Sequence, residues 1–389
     1  PDDYPDFPHH AQVLDYFNSY LDHFGLREKV TFNTAVTHVD RMDDGTWKVT
    51  LDRSAAGGPS QDVAYYDVLF VCNGHQWSPR WPTPAFEGEF DGVQMHAHSY
   101  LSPFDPHDFR GKNIVVVGMG NSAMDIASEL SQKPIAKNLW VAARRGVYVM
   151  PKYIGGQVAD KASLPTWIPL WAQRKLAAMA IKRAVGNMED YGLPKPDHAP
   201  LEGHPSVSGE FLTRVGCGDI RMKPNIERFE GNQERFTDGR AEDVDIIVYA
   251  TGYNVEFPFF DPDFLSAKDN HLPLFKRAIR PDLPNLFFMG LAQPLPTLIN
   301  FAEQQAKWLA AYLVGEYALP DEAVMEAAIL SDEKMYIGHF YESPRHKMQV
   351  DFNRYVNDLK KEWKKGAKRA KAAGNPLPIL ARAASKEAA

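Results

Sequence analysis

The stretch "NIVVVGMGNSAMDIASEL", Asn113 to Leu130, constrains the fold more than any other part of the chain. A run of β-branched residues ends in glycines, and the run behind them is amphipathic at helical spacing. A strand that turns on glycine straight into a helix belongs in an α/β sheet. Gly118, Gly120 and Ala123 follow the turn G-x-G-x-x-G/A. The first glycine makes the tight turn, and the second lets the backbone approach a pyrophosphate. Ala123 keeps the helix close to the strand, and the N–H groups that open the helix donate to the anion. Asn121 and Ser122 add polar side chains at that end. The next strand, "NLWVAA", ends where an NAD site carries Asp or Glu for the ribose 2′-hydroxyl, and this chain has Arg144 and Arg145 there. Two cations and no carboxylate suit the 2′-phosphate of NADP. The alternative is a pair of arginines capping a strand at the surface.

The length of 389 residues allows two domains, and 44% hydrophobic residues allow large cores. Lys plus Arg number 43 against 50 Asp plus Glu, a net charge of -7 that gives no general attraction to nucleic acid. Cys72 and Cys217 are the only cysteines. They build no disulfide framework, zinc pattern or redox Cys-x-x-Cys, and they point to a reducing, cytoplasmic setting. Charged or polar residues interrupt every apolar stretch before it reaches the length of a membrane span, and no signal peptide is expected. The opening "PDDYPDFPHH" reads as the inside of a longer protein.

Residues 11–24 place Val13, Leu14, Phe17, Tyr20, Leu21 and Phe24 at helical spacing, which predicts a surface helix packed on a core. "KVTFNTAVTHVDRM" and "GTWKVTLD" read as strands around the turn "DDG". "YYDVLFVCNG", Tyr65 to Gly74, and "VDIIVYATGY", Val244 to Tyr253, read as buried strands ending in glycine. If both belong to one sheet, the dinucleotide unit between them is inserted into another domain. The proline-rich "SPRWPTPAF" reads as a hinge or boundary, "WIPLWAQRKLAAMAIKRAVGN" as a helical insertion, and "INFAEQQAKWLAAYLVG" as a helix ending at Gly315. The remainder is charged and helical.

The order of these motifs resembles the flavin-containing monooxygenases, the class B FAD/NADPH monooxygenases. "FDGVQMHAHSY" matches the family signature F-x-G-x-x-x-H-x-x-x-Y through Phe90, Gly92, His96 and Tyr100. "GHPSVSGEFLTRVGCGDI", "VDIIVYATGY" and "EQQAKW" follow in the family's order. The resemblance implies an α/β fold of two dinucleotide-binding, Rossmann-like domains, with the NADP domain inserted into the FAD domain. Residues 1–105 are then the first part of the FAD domain, 106–243 the NADP domain with its helical insertion, 244–318 the second part of the FAD domain, and 319–389 a helical tail. The family's first FAD fingerprint, G-x-G-x-x-G, is not in this sequence, and truncation at the N-terminus is the expected reason.

The resemblance further implies that NADPH reduces FAD and that a C4a-peroxyflavin passes one oxygen atom from O2 to the nitrogen or sulfur of a small amine or sulfide. The retained FAD contacts would be Val36, Asn73, Gly74, Thr251, Gly252 and Gln305. Strand-end turns at Gly74 and Gly252, and a polar helix face at Gln305, are the structural alternatives. His96 is either a residue that sets the NADP domain against the flavin or a structural histidine bonding backbone. His98 beside it makes an H-x-H pair without the cysteines or carboxylates a metal needs. A Baeyer–Villiger monooxygenase is the rival enzyme, although Tyr100 stands where its signature carries Trp or Phe. A non-catalytic NADP-binding regulator is the rival outside enzymes. No nucleic acid is expected as partner, and a homodimer is compatible with the sequence. The insertion helix is read as a lid or packing helix over the substrate channel, with a membrane-surface helix as its alternative.

Overall fold

The computed structural model describes residues 3–159, 167–203, 206–295, 297–338, 340, 341, 343 and 346–378. They form two compact units, one of residues up to Leu69 with Phe257–Ser266, the other of Phe70–Glu256 with the chain from Ala267 onward.

In the first unit, helix α1 (His10–His23) opens on a capping box made by His9 and Gln12. The helix forms as its periodicity predicts, but it has no buried residue, and Leu14, Phe17, Tyr20 and the following Phe24 are exposed. The expected packing on a core is therefore not found among the described residues. Strands β1 (Ala35–Arg41), β2 (Trp47–Asp52) and β3 (Asp62–Tyr66) make an antiparallel meander. β2 alternates, so Trp47, Val49 and Leu51 turn inward. Trp47 meets Phe260 and Phe264 edge-on at 6.4 and 6.2 Å. β1 starts at Ala35, later than the expected run from Lys29, and Asn33 shortly before it has a left-handed backbone, φ 53°.

The second unit is built on a five-stranded parallel sheet. Its strands are β4 (Val93–His96), β5 (Asn113–Val117), β6 (Asn138–Ala142), β7 (Arg221–Lys223) and β8 (Ile246–Tyr249), in the spatial order β7-β6-β5-β8-β4. β5 is buried on both faces, as parallel strands under double cover are. Ile114 and Val116 face helix α2 (Asn121–Leu130) through Met124, Ala127 and Leu130. Val115 and Val117 face Ile226, Phe229 and Phe236 of a small antiparallel sheet formed by Ile226–Glu230, Gln233–Phe236 and Ala241–Asp243.

Two strand assignments differ from the sequence reading. The run Tyr65–Gly74 is not one strand: Tyr66 closes the meander opposite Trp47, and a separate short strand, Leu69–Val71, follows. Nor does it share a sheet with "VDIIVYATGY". The Leu69–Val71 strand pairs with Leu286–Phe288, with the Met289 amide donating to the Val71 carbonyl at 3.0 Å. β8 instead lies between β5 and β4, with Ile246 opposite both Ile114 and Val93. The sheet therefore takes a strand from each side of the 106–243 segment. A continuous apolar run signals burial, and it carries no information about which strand lies beside it.

The proline-rich link is pinned. Ser78–Pro79 pair antiparallel with Tyr253–Asn254, and the Arg80 amide donates to the Gly252 carbonyl at 3.0 Å. Helix α3 (Leu170–Val185) realises the insertion, with Ile181 its one buried residue and Trp171 exposed. Helix α4 (Phe211–Gly216) packs on α2. Helix α5 (Leu298–Leu313) is followed by Gly315 at φ 78°. The tail helices α6 (Glu322–Ile337) and α7 (Phe352–Ala372) are joined to the unit by a buried ion pair. The Lys276 ammonium donates to Asp332 of α6 at 2.9 Å and to Asp358 of α7 at 2.5 Å. No helix among the described residues is long and apolar enough to cross a membrane.

Candidate functional site: the crevice at the strand ends

Gly118 leaves β5 at φ 129°, and a Cβ there would lie 2.5 Å from the Ala250 carbonyl oxygen just past β8. Its amide donates to the Ala142 carbonyl at 2.9 Å, and the Ala250 amide donates to Val117 at 2.8 Å. Gly118 thus sits among the carboxyl ends of β5, β6 and β8, where the strand order reverses, the position at which open α/β sheets bind ligands. α2 starts immediately after Gly120, which caps it with no side-chain hydrogen bond. Among the described residues its first N–H groups have no side-chain acceptor, which is the arrangement an anion needs. Ala123 is fully buried beneath this end and exposed Ser122 lies beside it. The Asn121 side-chain oxygen accepts from the Val207 amide at 2.9 Å, and Ser206 donates to the Met119 carbonyl at 2.9 Å. The Asn121 side-chain oxygen therefore helps to fix the loop. Ser206 and Val207 belong to the "GHPSVSGE" motif, of which His204 and Pro205 lie outside the described residues.

The arginine pair divides. Arg145 bonds Asp197 at 2.7 Å and lies over the Tyr341 ring at 4.5 Å, and it holds the Asp197 carboxyl down at about 2. Arg144 is exposed, with no ion pair or hydrogen bond among the described residues. Of the two, Arg145 is paired and Arg144 has no such partner among the described residues. Arg144→Ala is expected to weaken NADPH binding roughly 10- to 100-fold and NADH hardly at all, since a charge-assisted contact contributes about 1.5–3 kcal/mol. Steady-state KM values for both nucleotides check this, and equal effects would remove the assignment.

The signature from Phe90 to Tyr100 straps β4 to the sheet. Phe90 packs on Phe229, with ring centroids 5.5 Å apart, and a Cβ on Gly92 would strike the Asp245 carbonyl at 2.5 Å. The Tyr100 hydroxyl donates to Glu129 of α2 at 2.9 Å. His96 ends β4 buried, its Nδ1 accepting from the His98 amide at 3.0 Å and its Nε2 buried without a partner among the described residues. Burial pushes the imidazole pKa below its ordinary value, against the opposing effect of the Gly252 backbone beside it. Trp81 and Tyr253 pack on the ring at 5.8 and 5.3 Å. His96 thus bonds backbone and is enclosed by Trp81 and Tyr253. Among the described residues no cluster of His, Cys, Asp or Glu could hold a metal.

The residues expected to meet FAD lie on several elements of both units. Val36 is exposed on β1, opposite Leu51, and belongs to the first unit. The Asn73 amide donates to the Glu256 carbonyl at 3.1 Å. Gly74, φ 71°, has open space where a Cβ would stand, and Gly252, φ 90°, lies under the Arg80 guanidinium. The Thr251 hydroxyl donates to the Arg80 carbonyl at 2.5 Å. Gln305 is fully buried in α5, accepting from the Gly290 amide at 2.9 Å and donating to the Arg277 carbonyl at 3.2 Å. Its amide ties together backbone segments.

Two residues were passed over in the sequence. His75, directly after Gly74, is buried with both ring nitrogens unpartnered among the described residues, an orphaned polar group of the kind a bound cofactor satisfies. Burial lowers its pKa. Arg80 holds the Thr251 carbonyl through Nε at 3.2 Å and Nη2 at 2.9 Å. The signal for His75 was its place behind a strand-end Asn-Gly, and for Arg80 an arginine set between prolines.

The family model for flavin-binding monooxygenase-like proteins matches residues 1–369. The chain belongs to that family. Flavin-containing monooxygenase 5 of Rattus norvegicus is 31% identical over 374 residues, 90% of this chain and 67% of its own length. The N-oxide-forming dimethylaniline monooxygenase 2 of Oryctolagus cuniculus is 31% identical over 375 residues, 92% of this chain and 68% of its own. Among solved structures, S-allyl-L-cysteine S-oxygenase from Allium sativum superposes with a TM-score of 0.63 at 24% identity, covering 92% of this chain and 67% of that one. A steroid monooxygenase bound to NADP gives 0.63 at 17% identity, covering 94% and 85%. The α/β fold of this flavin-binding monooxygenase-like chain is therefore that of the flavoprotein monooxygenases.

Proposed function

We propose that the chain serves an NADPH- and FAD-dependent monooxygenase that inserts one oxygen atom of O2 into the nitrogen or sulfur of a small amine or sulfide. The observation that carries this reading is the uncapped start of α2 beneath Gly118, with the unpaired Arg144 at the neighbouring strand end. Family membership supports the flavin, and the name of the N-oxide-forming relative at 31% identity supports the substrate class.

In this proposal the amides of Gly120 to Ser122 hold the NADP diphosphate, and Arg144 takes the 2′-phosphate, with Arg145 steadying the loop. Ala123 keeps α2 close to β5. Asn73, Gly74, Thr251 and Gly252 serve the FAD side, and the orphaned nitrogens of His75 fit a cofactor edge there. His96 positions the Gly252 turn between the two nucleotides. FAD, when bound, supplies activation of O2 after reduction by NADPH. Segments 1–105 and 244–318 are assigned to FAD and 106–243 to NADP, with β4 and β8 completing the NADP sheet. A cytoplasmic setting agrees with the unbridged Cys72 and Cys217.

The ketone-oxidising alternative draws on likeness of fold alone, since the cyclohexanone monooxygenase structure is 16% identical. Oxygen-electrode measurement on FAD-loaded protein decides between them. NADPH-dependent O2 uptake should rise on adding a tertiary amine or a thioether, and a rise with cyclic ketones alone would overturn the assignment.

A further inference from the structure

We infer that Arg80 is a second cation of the nucleotide crevice, placed to contact the diphosphate of the dinucleotide. The inference rests on the NADP reading of the site and adds a residue outside the strand–turn–helix motif.

Three observations carry it. The first is position. Arg80 lies over the Gly252 backbone, where an added Cβ would come 3.3 Å from its Nη2. Gly252 follows β8, and the Ala250 carbonyl is the atom that Gly118 approaches, so Arg80 overlooks the point where the strand order reverses. The second is anchoring. The Arg80 amide donates to Gly252 at 3.0 Å, the Thr251 hydroxyl donates to the Arg80 carbonyl at 2.5 Å, and the guanidinium forks onto the Thr251 carbonyl. The plane of the guanidinium is thereby fixed, and its remaining N–H groups have no partner among the described residues.

The third observation is charge. Burial lowers the Arg80 pKa, and the charge of the nearby Arg144 adds to that effect. The chain carries 50 acidic residues, yet among the described residues neither arginine has a carboxylate within ion-pair reach. Bracing one carbonyl does not require a permanent cation. Bringing two unpaired cations together is unfavourable until an anion lies between them. A diphosphate held at the start of α2 provides that anion.

Isothermal titration of the 389-residue chain with NADP+ and with NAD+ tests the inference, alongside thermal melting of the ligand-free protein. Arg80→Gln is expected to weaken both nucleotides alike, roughly tenfold or more, because the diphosphate is common to them. Arg144→Ala should weaken NADP+ alone. Arg80→Lys keeps the charge and should recover part of the lost affinity, and it carries the test if the glutamine variant melts early. Wild-type affinity for both nucleotides in Arg80→Gln would overturn the inference while leaving the NADP site standing. A loss confined to NADP+ would also overturn it, by moving Arg80 to the 2′-phosphate. Failure of the wild-type chain to bind either nucleotide would remove the NADP reading and this inference together.

Discussion

Glu234→Gln should stabilise the protein at neutral pH by about 3 kcal/mol and flatten its pH dependence. Glu234 lies on the middle strand of the small antiparallel sheet, between Phe229 and Glu242 in register, and is fully buried. Neither carboxyl oxygen has a hydrogen-bond partner among the described residues. Burial pushes its pKa from 4.5 up to about 8. The sign follows from which state holds the proton. Between about 4.5 and 8 the unfolded chain has ionised this group while the folded chain keeps it protonated, so stability falls as pH rises through that window. Glutamine mimics the protonated form and does not titrate. Denaturant melts of both proteins at about pH 4 and about pH 7.5 should agree at the acid end and diverge at the upper one. Parallel behaviour at both would mean the carboxylate is solvated. The neighbouring Tyr249 reports on the same group, because a charge on Glu234 raises its pKa beyond the effect of burial.

Gly118→Ala should abolish measurable dinucleotide binding, a loss of more than about a hundredfold, and destabilise the fold by roughly 3 kcal/mol. The backbone at φ 129° is one that L side chains rarely adopt, and the new methyl would stand 2.5 Å from the Ala250 carbonyl oxygen. Neither partner can retreat. Val117 and Ala250 are linked by a backbone hydrogen bond, and β5 and β8 are packed on both faces. The strain would displace the loop between β5 and α2, where Asn121 and Ser206 hold it to the neighbouring segment. Titration with NADP+ and thermal melting check both parts. Undiminished binding would show that the close approach at Gly118 has no bearing on the ligand.

What could be read from the sequence was local. The valines of β5, the turn at Gly118 and Gly120, and Ala123 at the start of α2 are consecutive, and their spacing alone dictates strand, turn and helix. The signature from Phe90 to Tyr100 and the helix ending before Gly315 are of the same kind. What escaped depends on partners distant in the chain. β8 carries the composition of any buried strand, and only the folded sheet places it beside β5. Arg144 and Arg145 look equivalent until Asp197 pairs with one of them. Gln305 reads from the sequence as a polar residue on a helix face, and only the fold shows its amide bonded to the backbone of Gly290 and Arg277. α1 satisfied helical periodicity and still buried none of its residues. The charged tail gave no sign that Lys276 would anchor it through Asp332 and Asp358.

A crystal structure of the protein with NADP+ tests the central claim most directly. The account predicts the diphosphate against the amides of Gly120 to Ser122, with the 2′-phosphate on Arg144. Density for the nucleotide elsewhere, or a crevice that stays empty at saturating NADP+, would contradict it.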